Sequence, residues 1–150
     1  MALAMTSQPC EPSVTVGRPT ITCEPWVDQV LDAVGWPVRS AYCELCVVCV
    51  LGPTATLLLR TLNAEMQARG GLATLDLSDL ALSLGVGAGV ANTSTIRRTL
   101  RRLEAFDMVR LSASHYLVRT SVAPLTERQL ERHGSRVQAL HRSLMARRQR

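Results

Sequence analysis

The stretch NTSTIRRTLRRLEAF, residues Asn92 to Phe106, is the most informative part of this 150-residue sequence. Its apolar side chains recur at spacings of four, three and three residues, which predicts an amphipathic helix with one buried stripe. The stripe consists of Ile96, Leu100, Leu103 and Phe106. Because successive residues of a helix are rotated by about 100° around its axis, the residues on the side opposite the stripe can also be read from the sequence. That side holds Ser94, Arg98, Arg101 and Ala105, and its flanks hold Arg97 and Arg102. The pattern predicts a helix that buries one side and turns four arginines toward solvent.

The predicted helix also has a polar start, because Asn92, Thr93 and Ser94 are all candidate N-caps. The N–H groups at a helix start attract anions, and a planar guanidinium group matches O6 and N7 of guanine. The helix therefore suits a DNA groove. Contacts with base edges or phosphates are predicted for Arg97, Arg98 and Arg101. Contacts that hold the register along the DNA backbone are predicted for Thr93, Ser94, Thr95 and Arg102. The alternative is a solvated helix face without a partner.

The segments around this helix predict a definite order of elements. Residues Gly52 to Arg69 have the apolar period of a long helix. A short strand is predicted at Ala73–Leu77, followed by a cap at Ser78 and a brief helix that stops at Gly85. Downstream, the runs MVRL and HYLVRT flank Ser112–Ser114 and predict a β-hairpin. The resulting order is helix, strand, helix, helix, hairpin.

This order, with the phrasing LSDLALSLGV…TSTIRRTLRRLEAFDMVRL, resembles the winged helix-turn-helix domain of small bacterial transcription regulators. The likeness spans residues 52–120, less than half of the chain. It implies a mainly α fold with a small β-hairpin, extended at both ends by helices, and a recognition helix in the major groove of double-stranded DNA. Winged helices also act as protein-docking modules, so an acidic protein is the alternative partner. The loop after Leu84 is longer than a simple helix-turn-helix turn, which leaves the angle between the two helices open.

The resemblance also implies that the hairpin is a short wing lying on the DNA backbone. Arg110 and Arg119 flank the tip of the hairpin in sequence, and His115 lies next to it. Phosphate contacts are therefore implied for these three side chains. The alternative is a solvated hairpin in which His115 only covers Tyr116.

Positive charge is concentrated in the second half of the chain. All 17 basic side chains are arginine, and the net charge is +5. Residues 95–150 hold 13 arginines against 4 acidic side chains, a balance of +9. Residues 1–94 hold 4 arginines against 8 acidic side chains, a balance of −4. The half that contains the predicted recognition helix, wing and tail therefore suits a polyanionic partner.

The region before residue 52 is predicted as an addition to the 52–120 domain. Residues 1–22 contain several prolines and few apolar side chains, which predicts a flexible arm. Residues 23–51 are predicted to form a helical extension, beginning with a helix over Glu24–Val34. Trp26, Val30 and Val34 lie on one side of that helix, and this side is expected to pack against the domain.

The tail, residues 121–150, is predicted to be helical, with Thr126 as an N-cap and Gly134 as a break. Leu130, Val137 and Leu144 are seven residues apart and would share one side. This side can pair with a second copy or pack on its own chain. A homodimer through the tail or the N-terminal helix is therefore a possible assembly.

The spacing CxxCxxC, formed by Cys43, Cys46 and Cys49, is typical of zinc or iron–sulfur ligands. Three thiolates are one ligand short of the usual four, and the surrounding run is apolar. Because free cysteine behaves as a small hydrophobe in such a run, the favoured interpretation is buried reduced thiols without a metal. A metal- or redox-sensing regulator is the alternative.

Several functional classes are disfavoured by the sequence. It shows no acid pair, no nucleophile beside a base and no phosphate loop, so neither an enzyme nor a cofactor is expected. The start MALAMTSQPC lacks the pattern of a signal peptide. The apolar run Leu45–Leu59 is interrupted by Gly52 and Pro53 and is too short to span a bilayer. A cytoplasmic, nucleoid-associated protein with no membrane contact is therefore expected.

Overall fold

The computed structural model describes residues 17–150. The strands of this part are β1 (Thr20–Trp26), β2 (Trp36–Pro37), β3 (Ala73–Asp76), β4 (Val109–Ser112), β5 (His115–Arg119) and β6 (Ser121–Val122). Its α-helices are α1 (Gln29–Val34), α2 (Val48–Leu51), α3 (Pro53–Ala68), α4 (Leu77–Ser83), α5 (Thr95–Ala105), α6 (Glu127–Arg132) and α7 (Gly134–Arg148). A π-helical segment, Cys43–Val47, leads into α2. Most of the predicted flexible arm, residues 1–16, lies outside the described residues.

The main sheet has four strands in the order β3-β1-β5-β4. β1 runs antiparallel to β3 and parallel to β5, while β4 and β5 form the predicted hairpin. β2 and β6 pair separately as a short antiparallel ladder. The fold is therefore a mixture of helices and strands. The predicted small hairpin is confirmed, but it forms only half of the main sheet.

β1 is the largest departure from the sequence prediction. The arm was expected to reach Thr22 and a helix was expected from Glu24, but Thr20–Trp26 is a strand. Its inward side chains alternate, with Ile21 and Cys23 almost fully buried, as the two-residue period of a strand requires. The helix begins only at Gln29, where the carboxylate of Asp28 accepts a hydrogen bond from the N–H of Leu31 at 3.0 Å. The prediction of a helix over Glu24–Val34 is therefore wrong in its first half.

The apolar side predicted for α1 is also wrong. Val30 is 74% exposed and Val34 is 59% exposed, so both valines face solvent. The half-buried apolar residue of this short helix is Leu31. Trp26, which the prediction placed on the same side, lies in β1 instead.

α3 is the long helix that was predicted, and Pro53 occupies its first turn. Its buried side contains Leu58, Leu59, Leu62 and Met66, all at most 2% exposed. This side contacts β1, β5 and α5. α3 is thus the scaffold that joins the sheet to α5.

The predicted strand and helix after α3 are confirmed as β3 and α4. The N-cap of α4 is Asp76, whose side chain accepts from the N–H of Asp79 at 2.9 Å. It is not Ser78, because the helix starts at Leu77 and Ser78 already lies in its first turn. The hydroxyl of Ser78 instead donates to the carbonyl of Ala88 at 3.0 Å, which ties down the following loop. Gly85 ends the helix as predicted, with a φ of +70°.

The tail packs on its own chain, one of the two arrangements predicted for it. Thr126 and Gln129 form a reciprocal capping box at the start of α6. Leu130 is buried, and Val137, Leu140 and Leu144 pack against the core. The hydroxyl of the buried Tyr42 accepts from the N–H of Leu125 at 2.9 Å and lies 2.7 Å from Nδ1 of His141. A buried polar contact therefore adds to the apolar contacts that hold α7.

The cysteines of the CxxCxxC segment lie on the helical turns before α3. Cys43 and Cys46 are buried, as predicted, whereas Cys49 is only half-buried. Burial raises the pKa of the Cys43 thiol to about 11. Across residues 17–150, no three His, Cys, Asp or Glu side chains are grouped so that they could hold a metal ion. Nor does any helix in this part of the chain combine the length and apolar character that crossing a bilayer requires.

Candidate nucleic-acid interface

α5 is fixed to the molecule by the stripe that its sequence predicted. Ile96, Leu100 and Leu103 are at most 2% exposed, and the helix packs against α3, α4 and β4. The fourth predicted member, Phe106, is 38% exposed. It follows the last helical residue and acts as the C-cap, so it no longer follows the period of the helix. The buried stripe therefore ends at Leu103.

The opposite side of α5 faces solvent as predicted. Arg98, Arg101 and Arg102 are exposed, and Arg97 is half-buried. The helix begins after Ser94, one of the three predicted N-caps, but the Ser94 side chain makes no capping hydrogen bond. Its hydroxyl is buried without a hydrogen-bond partner among the described residues. Thr93 is exposed at the start of the helix, and Thr95 is half-buried.

Two arginines of α5 hold the loop that precedes it. Nε of Arg97 donates to the carbonyl of Val90 at 3.2 Å. Arg101 donates to the carbonyl of Asn92 through Nη2 and to that of Arg97 through Nε. A glycine-rich loop has many backbone groups to satisfy, and these guanidinium groups satisfy some of them. The loop between α4 and α5 is thus anchored to the helix that follows it.

Arg102 has a different structural role on the flank of α5. Its Nε and Nη2 donate to the carbonyls of Leu51 and Val50, at the end of α2. Its guanidinium group also lies 5.0 Å from the centre of the Phe106 ring. Because the last carbonyls of a helix lack partners within the helix, Arg102 closes the end of α2. It links the N-terminal extension to α5.

Arg98 differs from these three neighbours. Within residues 17–150 its side chain makes no hydrogen bond and no ion pair, and Arg98 is exposed on the solvent-facing side of the helix. All five N–H donors of its guanidinium group are therefore available to a partner.

None of the four arginines of α5 pairs with a carboxylate in the described part of the chain. A carbonyl oxygen orients a guanidinium group but does not cancel its charge. Since a guanidinium group has five N–H donors, Arg97, Arg101 and Arg102 also keep donors for a ligand. The exposed side of α5 is consequently a positively charged surface, and its arginines are partly preorganised.

The two arginines of the hairpin, Arg110 and Arg119, lie in one cluster in which each pairs with a carboxylate. Nη1 of Arg119 is 2.7 Å from the carboxylate of Asp28, and Nη2 is 3.4 Å from that of Asp107. Arg110 pairs with the same Asp107 at 3.4 Å. The guanidinium groups of Arg119 and Arg110 lie 3.6 Å and 4.2 Å from the centre of the Trp26 ring. Two arginines and two aspartates thus balance each other around one indole.

The surroundings of Asp28 show that this cluster is mainly structural. The Leu31 N–H, followed by the Arg119 side chain, lowers the pKa of the Asp28 carboxyl. Only 11% of the Arg119 side chain is exposed. His115 faces Glu24 across 3.9 Å. The phosphate contacts implied for Arg110, His115 and Arg119 stay a prediction, and the geometry favours them less than those of α5.

No sequence pattern marks Asp28 or Asp107 as a partner of these arginines. Asp107 follows α5 directly and has a positive φ of 58°, which is compatible with a short polar side chain. The pattern offered no signal for the pairing of Asp28 with Arg119, because that pairing depends on where β1 and β5 meet.

A scan against protein-family models finds no match for this chain, and neither do searches of curated proteins and of solved structures.

The two types of arginine on α5 lead to different expected effects on stability. Replacing Arg102 by alanine should lower the free energy of unfolding by about 1–2 kcal/mol, because the carbonyls of Val50 and Leu51 lose a charged donor. Replacing Arg98 by alanine should change it by less than about 0.5 kcal/mol. Urea unfolding followed by circular dichroism measures both. Equal effects of the two substitutions would contradict the structural role of Arg102.

Proposed function

We propose that this chain binds double-stranded DNA as a transcription regulator of the winged helix-turn-helix type, with α5 as its recognition helix. The observation that carries the proposal is the exposed side of α5, where four arginines lack a carboxylate partner within residues 17–150. The major groove of B-DNA is about 12 Å wide and admits an α-helix. A helix buried on one side and positively charged on the other suits this groove.

Under this proposal the four arginines of α5 have different roles. Arg98 is the best candidate for direct recognition, because its guanidinium group is exposed and uncommitted among the described residues. A free guanidinium fork can donate two parallel hydrogen bonds to guanine. Arg101 and Arg97 are held by loop carbonyls and would use their remaining donors on bases or phosphates. Arg102, with Thr93, Ser94 and Thr95, would hold the position along the backbone.

The tail supports a polyanionic partner in a second way. α6 and α7 with the last two residues hold seven arginines: Arg128, Arg132, Arg136, Arg142, Arg147, Arg148 and Arg150. None of these side chains pairs with a carboxylate of the described chain. Uncompensated positive charge attracts DNA without reading its sequence and makes binding depend on salt.

The proposal is tested by titrating fluorescently labelled duplex DNA with the full chain at about 50 mM and about 200 mM salt. We expect binding that weakens steeply as salt rises. Arg98→Ala should reduce the affinity by about 1–3 kcal/mol if Arg98 contacts a base, or lower the salt slope by about one if it contacts a phosphate. Selection of bound sites from a random DNA pool then tests for sequence specificity.

Arg39→Ala is the matched control for this titration, because it removes one charge from an exposed arginine outside α5. It should have a much smaller effect than Arg98→Ala. Absence of salt-dependent binding, or equal losses in the two variants, would rule out α5 as a DNA-recognition surface. The basic face would then suit docking of an acidic protein instead.

A further inference from the structure

A cavity of about 330 Å³ lies beside α3, away from the arginines of α5. Its wall is formed by the end of β1, the segment that follows β2, the C-terminal half of α3 and the two glycines after it. The apolar part of the wall includes Pro37, Val38 and Met66. Val38 and Met66 are at most 2% exposed, so the cavity reaches the hydrophobic core.

One charged group lines this mainly apolar cavity. Arg39 is exposed, and its Nη1 donates to the side-chain carbonyl of Gln67 at 2.7 Å. Both residues line the cavity. Arg39 forms no salt bridge within residues 17–150. Gln67 therefore orients the guanidinium group, and its positive charge is left uncompensated.

The polar side chain in the buried wall is already committed to the protein. Asn63 is 9% exposed. Its Nδ2 donates to the carbonyls of Leu59 and Arg119, both at 3.0 Å. Because these bonds use both of its N–H donors, Asn63 is a fixed part of the wall. Arg39 is thus the charged donor that the lining offers to a negatively charged ligand.

We propose that this cavity binds a small aliphatic monocarboxylate. The carboxylate would lie on the guanidinium group of Arg39, a planar pair that can form two parallel hydrogen bonds. The aliphatic chain would lie along Pro25 and Pro37, which line the cavity and are not buried. A cavity of about 150 Å³ holds benzene, so this cavity has room for roughly a dozen non-hydrogen atoms, the size of a medium-chain acid. A small inorganic anion would leave the apolar wall uncovered.

The test is isothermal titration of the full chain with octanoate and, separately, with octan-1-ol and inorganic phosphate, all without DNA. Octanoate should bind saturably. Arg39→Gln should weaken octanoate binding tenfold or more, since a charge-assisted hydrogen bond is lost, while octan-1-ol binding should stay the same. Arg136→Gln, which removes the same charge from α7, should leave octanoate binding unchanged.

Three results would overturn the proposal. The first is no saturable octanoate binding. The second is equal octanoate affinity in the Arg39→Gln variant and the unaltered chain. The third is binding of octan-1-ol or phosphate as tight as that of octanoate, which would show that the cavity does not recognise a carboxylate with an aliphatic chain. Because DNA is absent, these results are independent of whether α5 binds DNA.

Discussion

A chain that lacks residues 1–26 is expected to lose cooperative folding. The deletion removes β1, which lies between β3 and β5 and pairs with four residues of one and five of the other. It also removes the buried side chains of Ile21 and Cys23. Hydrogen bonds contribute about 1 kcal/mol each, and typical domains are stable by only about 5–15 kcal/mol in total. Near-UV circular dichroism and urea unfolding should show no native baseline and no sharp transition.

A matched control keeps the strand and removes one of its exposed groups. The hydroxyl of Thr22 lies 3.0 Å from that of Thr74 on the exposed side of the β1–β3 pair. Thr22→Val should therefore change the free energy of unfolding by less than about 1 kcal/mol. If the shortened chain unfolded with the same midpoint as the complete one, the position of β1 at the centre of the sheet would be wrong.

The second large effect is expected on the buried side of α5. Leu103→Ala should lower the free energy of unfolding by about 2–5 kcal/mol. Leu103 is fully buried, and truncation would leave a cavity at the contact of α5 with α3 and β4. Leu103→Met nearly conserves the volume and should cost less than about 1.5 kcal/mol. Thermal unfolding measures both, with a shift of roughly 2–4 °C per kcal/mol for a chain of this size.

Leu103→Ala also tests whether stability and DNA binding depend on different sides of α5. At a temperature where the variant remains folded, its affinity for duplex DNA should stay close to that of the unaltered chain, because Leu103 faces away from the arginine surface. A loss of DNA affinity as large as that of Arg98→Ala, in protein shown to be folded, would contradict this separation.

The elements with a local pattern could be predicted from the sequence. α5 has an apolar period over three turns, α3 begins at a proline, and α6 has a capping box between Thr126 and Gln129. Each of these signals lies within a few neighbouring residues. The sequence therefore predicts the ends of α3 and α5 and the start of α6 to within a few residues. It also correctly predicts that Ile96, Leu100 and Leu103 lie in the core.

β1 could not be predicted in the same way, because its partners are distant in sequence. Its residues pair with 73–76 on one side and 115–119 on the other. Neither partner segment contains a signal that points back to β1. Pro25 also favoured a helix start, since proline is common in the first turn of a helix. The strand can be recognised only in the folded protein, where β3 and β5 lie on either side of it.

In the candidate site, too, local features could be predicted from the sequence and long-range contacts could not. The helical period correctly predicted that Arg98 and Arg101 face solvent. It could not predict that Arg102 would close the end of α2, since Arg102 and Val50 are far apart in the chain. The ion pair between Arg119 and Asp28 joins segments that are even farther apart in the sequence. A sequence pattern thus indicates which side chains are exposed, whereas the tertiary fold determines which of them are engaged.

The parallel pairing of β1 with β5 also constrains how this protein is made. Thr22 lies opposite His115 and Trp26 opposite Arg119, so β1 must wait for its partner until the last strand of the main sheet has been translated. Before β3 is translated, both edges of β1 are open to other chains, and the edge that β5 covers stays open until β5 follows. Slowed translation between α3 and β4 should therefore increase aggregation of the nascent protein, while slowed translation after α7 begins should not.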